Sequence, residues 1–130
     1  MKVVDASVLI PALTDEGSTA GRAADLMTTN DLAAPELIDL EVAQALRRLV
    51  RSRVLTDARA ASALNYFGSI PVVRAPHLPL LERIWAHRNN LSAYDAAYVA
   101  LAEELETTLL TGDRRLASAP GIRCEIELVG

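Results

Sequence analysis

Short apolar runs alternate with helical stretches along this chain, and that alternation is the strongest constraint on its fold. The four clearest runs are residues 3–5, 32–35, 70–73 and 108–111. Each is too short for a core helix and is followed by a stretch with helical periodicity, so each is predicted to be a buried strand. Strands that alternate with helices predict an α/β sandwich around a mostly parallel sheet.

Two further patterns place the edges of this sheet and its helices. Pro71 lacks a backbone donor, which predicts a peripheral position for the run at 70–73. Residues 122–128 alternate apolar and polar side chains, which is typical of a half-exposed edge strand. The predicted helices are 6–13, 18–28, 58–67, 79–88, 92–106 and 114–119, with one more from Pro35 or Glu36 to about Arg53, and a turn at 15–18.

Length and composition indicate one globular domain. The chain has 130 residues, of which 51% are hydrophobic, which excludes a disordered chain and predicts a single domain over residues 1–130. No apolar run approaches the roughly 20 residues that span a bilayer, and we identify no secretory signal. One cysteine, Cys124, permits no internal disulfide. A cytoplasmic protein without membrane association is therefore expected.

Four carboxylates occupy junctions between these predicted elements. Asp5 closes the first strand, Asp95 lies in the first turn of a helix, and Asp113 follows the fourth strand. Glu41 lies at the rim of the apolar face of its helix. Acids that follow parallel strands converge on one edge of a sheet. Because several carboxylates in one cleft do not all stay ionised without a cation, the pattern predicts a divalent-metal site.

Each of these acids has an ordinary structural explanation when it is taken alone. Asp5 and Asp113 suit helix caps, and Asp95 stands three residues after Ser92 as in a capping box. A single helical glutamate such as Glu41 is usually a solvated residue. Only the set of four favours a functional site.

The charge balance is compatible with RNA binding but does not require it. The net charge of −4 argues against a strongly basic nucleic-acid binder, yet without the four acids the 13 remaining carboxylates equal the 13 basic residues. Twelve of those bases are arginine, which suits phosphate contacts. Arg48 and Arg51 are candidate RNA contacts, although a solvated helix face is the common alternative. Trp85 is expected to be a packing residue.

Four segments of the chain resemble one family, the PIN-domain ribonucleases, and specifically the VapC-type toxins of type II toxin–antitoxin systems. Val4-Asp5-Ala6-Ser7 is similar to the family's opening D-x-S/T motif. Residues 91–102, around Asp95, are the most specific piece, and residues 35–43 and 110–116 resemble the segments that carry the family's other acids. No acid of the family pattern is missing.

The resemblance implies a PIN-like three-layer α/β/α sandwich and an Mg²⁺-dependent endoribonuclease, with Mn²⁺ able to substitute. Asp5 and Asp95 would bind the principal ion, and Asp113 and Glu41 would complete its ligands through water or bind a second ion. Ser7 and Thr111 would orient the ligands. A metal-activated water would hydrolyse the RNA phosphodiester bond and leave a 3′-hydroxyl and a 5′-phosphate.

Family analogy also implies two protein partners and leaves one alternative open. The partners are a cognate antitoxin, which would place a basic side chain near the acidic cleft, and a second copy of the chain in a homodimer. The alternative is a non-catalytic PIN-like interaction module whose acids bind a basic partner segment. The complete set of carboxylates favours the enzyme.

Overall fold

The structure, a computed structural model, describes residues 1–15 and 17–130 and contains one five-stranded sheet in that part of the chain. The strands are β1 (Lys2–Val4), β2 (Leu32–Pro35), β3 (Val72–Ala75), β4 (Leu109–Thr111) and β5 (Ile126–Leu128). Their order is β3-β2-β1-β4-β5, and every neighbouring pair is parallel. The predicted parallel sheet is confirmed. Glu16, within the turn predicted at 15–18, lies outside the described residues.

Seven α-helices connect the strands in the described residues. They are α1 (Ala6–Thr14), α2 (Ser18–Thr29), α3 (Ile38–Arg51), α4 (Asp57–Ser69), α5 (Leu81–Ala86), α6 (Ala93–Glu104) and α7 (Arg114–Ala117). A 3₁₀ turn at Leu78–Leu80 leads directly into α5. None of the helices is long and apolar enough to cross a membrane.

Helices cover the sheet on both faces. Val3 and Val4 point to opposite faces of β1, and both are fully buried, as the central strand of a three-layer fold requires. The helix α6 packs against β1, β2 and β4, and α5 packs against α6. The helices α1 to α4 pack on one another in a second group. The predicted three-layer α/β/α sandwich is confirmed.

The strand order creates a crevice beside β1. From β1 the chain proceeds outward through β2 and β3, and then crosses to the other side of β1 to form β4 and β5. Beyond the carboxyl ends of β1 and β4 the connections therefore diverge, which is where open α/β sheets bind ligands. Asp5 directly follows β1, and Asp113 lies two residues after β4.

Several predicted strand boundaries were wrong, although the strands exist. The third strand covers 72–75 rather than 70–73, because α4 continues to Ser69 and the Ile70 N–H bonds to the Phe67 carbonyl. Its predicted edge position is confirmed. The last strand is an edge strand as predicted, but only Ile126–Leu128 pair with β4.

The helix predictions need three corrections. Pro35 ends β2 instead of starting a helix. It lies beyond the last residue of β2 that pairs with β1, so its missing N–H removes no hydrogen bond between these two strands. The predicted helix at 79–88 is divided into the 3₁₀ turn and the shorter α5. Trp85, expected to be a packing residue, is 68% exposed, and the Arg88 guanidinium lies 5.0 Å from its ring centroid.

Candidate active site

Asp5 is the most deeply buried of the four acids. One carboxylate oxygen, Oδ1, accepts hydrogen bonds from the Ser7 N–H at 2.9 Å and from the Ser7 hydroxyl, and so caps α1. The other, Oδ2, accepts from the Thr111 hydroxyl at 2.5 Å. Burial raises the pKa of Asp5 to about 6, against the effect of these hydrogen bonds, and the Glu41 charge adds to the shift.

Ser7 and Thr111 join the ends of β1 and β4 around Asp5. The Thr111 hydroxyl, which is fully buried, also accepts the Asp113 N–H at 3.0 Å. The Ser7 hydroxyl accepts the Gly112 N–H at 2.7 Å. A Cβ at Gly112 would lie 3.3 Å from the Ser7 Oγ, so a glycine permits this close approach. Both hydroxyls therefore donate to Asp5 and hold its carboxylate in place. Their role in orienting the ligands of a metal ion stays a prediction.

Asp113 caps the short helix α7. Its Oδ1 accepts the N–H groups of Arg115 at 2.9 Å and Leu116 at 3.4 Å. Its Oδ2 lies 3.6 Å from the Arg115 guanidinium, whose side chain is 87% exposed. The cap bonds are made by Oδ1, and the Asp113 charge raises the pKa of Asp95, so helix capping and proximity to the cleft are compatible for this residue.

Asp95 and Glu41 enter the cleft from helices. Asp95 is half-buried in the first turn of α6, where its N–H bonds to the Ser92 hydroxyl at 3.1 Å, so Ser92 is the cap as predicted. Burial raises the pKa of Asp95, and the Asp113 charge adds to the shift, while Arg115 opposes it. Glu41 is also half-buried, and its Oε1 accepts the Tyr98 hydroxyl at 2.5 Å. Burial raises the pKa of Glu41 as well, and the Asp95 charge adds to it.

Neighbouring acids of the four act on one another through their charges across the cleft. The Glu41 charge raises the pKa of Asp5, the Asp95 charge raises the pKa of Glu41, and the Asp113 charge raises the pKa of Asp95. We call Asp5 and Asp113, with Ser7 and Thr111, the strand-end side of the cleft. Glu41 and Asp95, with Tyr98, form the helix side.

The donor set fits a hard divalent cation. All four groups are oxygen donors, and for Asp5, Glu41 and Asp95 burial and the charge of a neighbouring acid disfavour the ionised form unless a positive charge joins them. Among residues 1–15 and 17–130, no group of three or more His, Cys, Asp or Glu side chains is arranged so that it could hold a metal ion by itself. Mg²⁺ usually binds only one or two carboxylates and keeps several waters, so pairs of neighbouring acids suit it.

Other charged residues of α3 lie apart from this cleft. Asp39 is engaged by Arg74 through two guanidinium nitrogens, with contacts of 2.8 to 3.1 Å, which supports the choice of Glu41 over its neighbours. Arg48 and Arg51 are exposed. Arg48 follows Glu41 by seven residues, or about two helical turns, so it lies on the same side of α3. Arg51 lines the groove between α3 and α4.

Sequence reasoning missed the roles of Tyr98 and Arg115. Helical spacing predicts that Tyr98 belongs to one apolar stripe of α6 with Tyr94, Leu101 and Leu105, but Tyr94 is 67% and Leu105 43% exposed, whereas Tyr98 is 2% exposed. The available signal was its spacing: three residues after Asp95, it projects from the same face of α6. Arg115 follows Asp113 by two residues, and its proximity to Asp95 depends on tertiary structure.

Comparison with known proteins supports a family relationship over the whole length. The PIN domain family matches residues 2–122. Ribonuclease VapC1 of Mycobacterium tuberculosis is 45% identical over 128 residues, which cover 98% of this chain and 96% of that protein.

Solved structures agree in fold. The crystal structure of PAE2754 from Pyrobaculum aerophilum superposes with a TM-score of 0.71 at 27% identity, covering 96% of this chain and 81% of that chain. VapBC2 from Rickettsia felis, bound to a DNA fragment from its promoter, has a TM-score of 0.71 at 14% identity, with full coverage of both chains.

Proposed function

This chain belongs to the PIN-domain family and, within it, to the VapC ribonucleases, and we propose that it is an Mg²⁺-dependent endoribonuclease toxin that acts in the cytoplasm. One observation supports this most strongly: Asp5, Glu41, Asp95 and Asp113 converge at the crevice between β1 and β4. Asp5 is buried and its pKa is raised to about 6, so its ionised form destabilises the fold unless a positive charge is bound beside it.

The four acids would bind the metal ion, and two hydroxyls orient one of these acids. Asp5 and Asp95 would bind the principal ion, and Glu41 and Asp113 would contact its waters or a second ion. A bound Mg²⁺ supplies Lewis acidity and lowers the pKa of water, which makes a nucleophile available near neutral pH. Ser7 and Thr111 fix the Asp5 carboxylate through the hydrogen bonds described above, so that it is already oriented before substrate arrives.

The products follow from hydrolysis of the phosphodiester bond. Oxygen from water forms a bond to phosphorus while the bond to the 3′ oxygen breaks, and that oxygen takes a proton. The RNA is left with a 3′-hydroxyl and a 5′-phosphate. Arg115, exposed at the lip of the cleft, is well placed to contact a neighbouring phosphate, and Arg48 and Arg51 extend the basic surface along α3.

The test is cleavage of total cellular RNA by the purified protein, freed of copurified partners, with Mg²⁺ present. We expect discrete products that disappear with EDTA and with Asp95→Asn. The matched control is Asp57→Asn, because Asp57 is also an acid in the first turn of a helix but is exposed and outside the cleft. Sequencing the product ends identifies the target RNA.

Two results would contradict the enzyme proposal. Cleavage that persists in Asp95→Asn would show that the activity comes from a contaminant or another site. Absence of both cleavage and Mn²⁺ binding in folded protein would leave the alternative, an interaction module that uses the acids to bind a basic partner segment.

A cognate antitoxin and a homodimer complete the proposal. The toxin–antitoxin pair from Rickettsia felis supports the first, and the acidic cleft is a suitable site for an arginine, which can satisfy the same carboxylates as a metal ion. We expect a co-expressed antitoxin to abolish cleavage, and its proteolysis to restore it. Light scattering after gel filtration should give twice the mass of one chain; the mass of a single chain would contradict the dimer.

A further inference from the structure

We infer that Tyr98 is a positioning residue of the active site, which acts by holding the Glu41 carboxylate in the cleft. The inference rests on the proposed function, because it assigns a role in the same metal-dependent reaction. The Tyr98 hydroxyl donates to Glu41 Oε1 at 2.5 Å. Among the described residues it makes no hydrogen bond to Asp5 or Asp95, the two acids expected to bind the principal ion.

Glu41 differs from Asp5 and Asp113 in how its carboxylate is held. Asp5 accepts three hydrogen bonds, and Asp113 accepts two from backbone N–H groups of its own helix. For the Glu41 side chain, the Tyr98 hydroxyl is the only donor among the described residues. A glutamate on a helix has three rotatable bonds, and ordering such a side chain is entropically unfavourable. The phenol therefore provides an orientation that nothing else in the described chain provides.

Tyr98 itself has little freedom. It is 2% exposed and is the largest fully buried side chain among the described residues, and it lies on α6, the helix that packs against β1, β2 and β4. Its hydroxyl is the donor in the bond to Glu41, because an ionised carboxylate only accepts hydrogen bonds. A rigid donor between the acids is suited to fix one carboxylate oxygen of Glu41 and leave the other for the cleft.

A simpler explanation is that Tyr98 is a core residue whose hydroxyl bonds to the nearest acceptor. Buried tyrosines usually do find a partner. The two explanations differ in one respect. If Tyr98 acts through Glu41, removing its hydroxyl has no further effect once Glu41 has lost its charge; if it acts only in packing, the effects of the two substitutions add.

The experiment is a double-mutant cycle with Tyr98→Phe, Glu41→Gln and the combined variant. Each protein is measured for kcat and KM of RNA cleavage, for Mn²⁺ affinity by calorimetry, and for thermal stability. Tyr94→Phe is the matched control, since it removes the same hydroxyl from an exposed tyrosine one turn earlier on α6. All assays are run at a temperature at which every variant is folded.

We expect Tyr98→Phe to lower kcat by about 10-fold and to weaken Mn²⁺ binding several-fold, with little change in KM. In the Glu41→Gln background the same substitution should change neither quantity. Tyr94→Phe should match the wild type. If Tyr98→Phe does not fold, Glu41→Asp gives a second approach, since it withdraws the carboxylate from the phenol and leaves Tyr98 intact; it should lower kcat and Mn²⁺ affinity similarly.

Additive effects in the cycle, or wild-type kcat and Mn²⁺ affinity in Tyr98→Phe, would overturn the positioning role while leaving the proposed function intact. A wild-type protein that neither cleaves RNA nor binds Mn²⁺ would overturn both. These failures are distinguishable because the wild-type measurements come first.

Discussion

The two sides of the acidic cleft are built in different ways. On the strand-end side, hydroxyls and backbone N–H groups from residues close to β1 and β4 surround Asp5 and Asp113. On the helix side, Glu41 is oriented by a phenol 57 residues away in the sequence. Asp5 is held by Ser7, two residues away, and by Thr111, 106 residues away, whereas the hydrogen bond to the Glu41 side chain comes from Tyr98 alone among the described residues. An acid with several hydrogen bonds should resist small changes elsewhere in the fold better than an acid with one.

The largest expected difference between the two sides is the effect of a buried acid on the free energy of unfolding, and it depends on pH. The pKa of Asp5 in the folded protein is about 6, above its ordinary value of 3.8. The folded state therefore binds the proton more tightly, so stability falls as pH rises through this window, and the full penalty is present above pH 6. In EDTA at pH 8, Asp5→Asn should be more stable than the wild type by about 3 kcal/mol, and the difference should vanish below pH 3.8.

Urea unfolding from pH 4 to 8 measures this difference, with Asp57→Asn as the control for the loss of one charge. Glu41→Gln should stabilise less, because Glu41 is only half-buried. A wild type that is more stable than Asp5→Asn at pH 8 would mean that the hydrogen bonds to Asp5 outweigh its burial.

The next effect tests how strongly each side depends on one hydroxyl. Thr111→Val removes a fully buried group that both donates to Asp5 and accepts the Asp113 N–H. We expect a loss of about 2 kcal/mol in the free energy of unfolding, since buried partners are left unpaired. Ser92→Ala removes the cap on the helix side and should cost about 1 kcal/mol. Denaturant titration of both variants checks the order, and the reverse order would contradict the denser bonding of the strand-end side.

The smallest effects concern the basic residues around the cleft. Arg115→Gln should raise KM for RNA more than Arg48→Gln does, because Arg115 lies beside Asp113 and Asp95. Each lost contact to a phosphate of single-stranded RNA should lower the salt dependence of binding by about 0.7 in log–log slope. Titration of catalytically inactive Asp95→Asn with labelled RNA at several salt concentrations measures this. If Asp95→Asn and the same protein with Arg115→Gln or Arg48→Gln all give equal slopes, Arg115 and Arg48 do not contact RNA phosphates.

The helix caps of the strand-end side could be predicted because they are local. Asp5 and Asp113 each follow a short apolar run, and both cap the helix that comes next. Strand, polar junction and helix are encoded within a few residues, so the pattern is visible in one dimension. The strand boundaries at 70–73 and 122–128 were predicted wrongly because local sequence does not define them. Apolar residues that flank a strand also occur in helix ends and loops.

The helix side was less predictable because its partners are distant in sequence. Helical periodicity placed Glu41 at the rim of an apolar face, and it is half-buried. The same reasoning treated Tyr94, Tyr98 and Leu105 alike, although only Tyr98 is buried. Trp85 is a second example, because it was expected to be a packing residue and is exposed. Periodicity identifies the face of a helix, but it does not say which neighbouring element covers each turn.

The amino-acid sequence by itself determined the α/β alternation, the parallel sheet and the four acids at its junctions, because short-range periodicity and backbone chemistry dictate strands, helices and caps. Only the tertiary structure decided that β1 and β4 are neighbours, that Thr111 bonds to Asp5, and that Tyr98 reaches Glu41. Those contacts join residues 57 or more positions apart, and they form only when the sheet order and the packing of α6 bring them together.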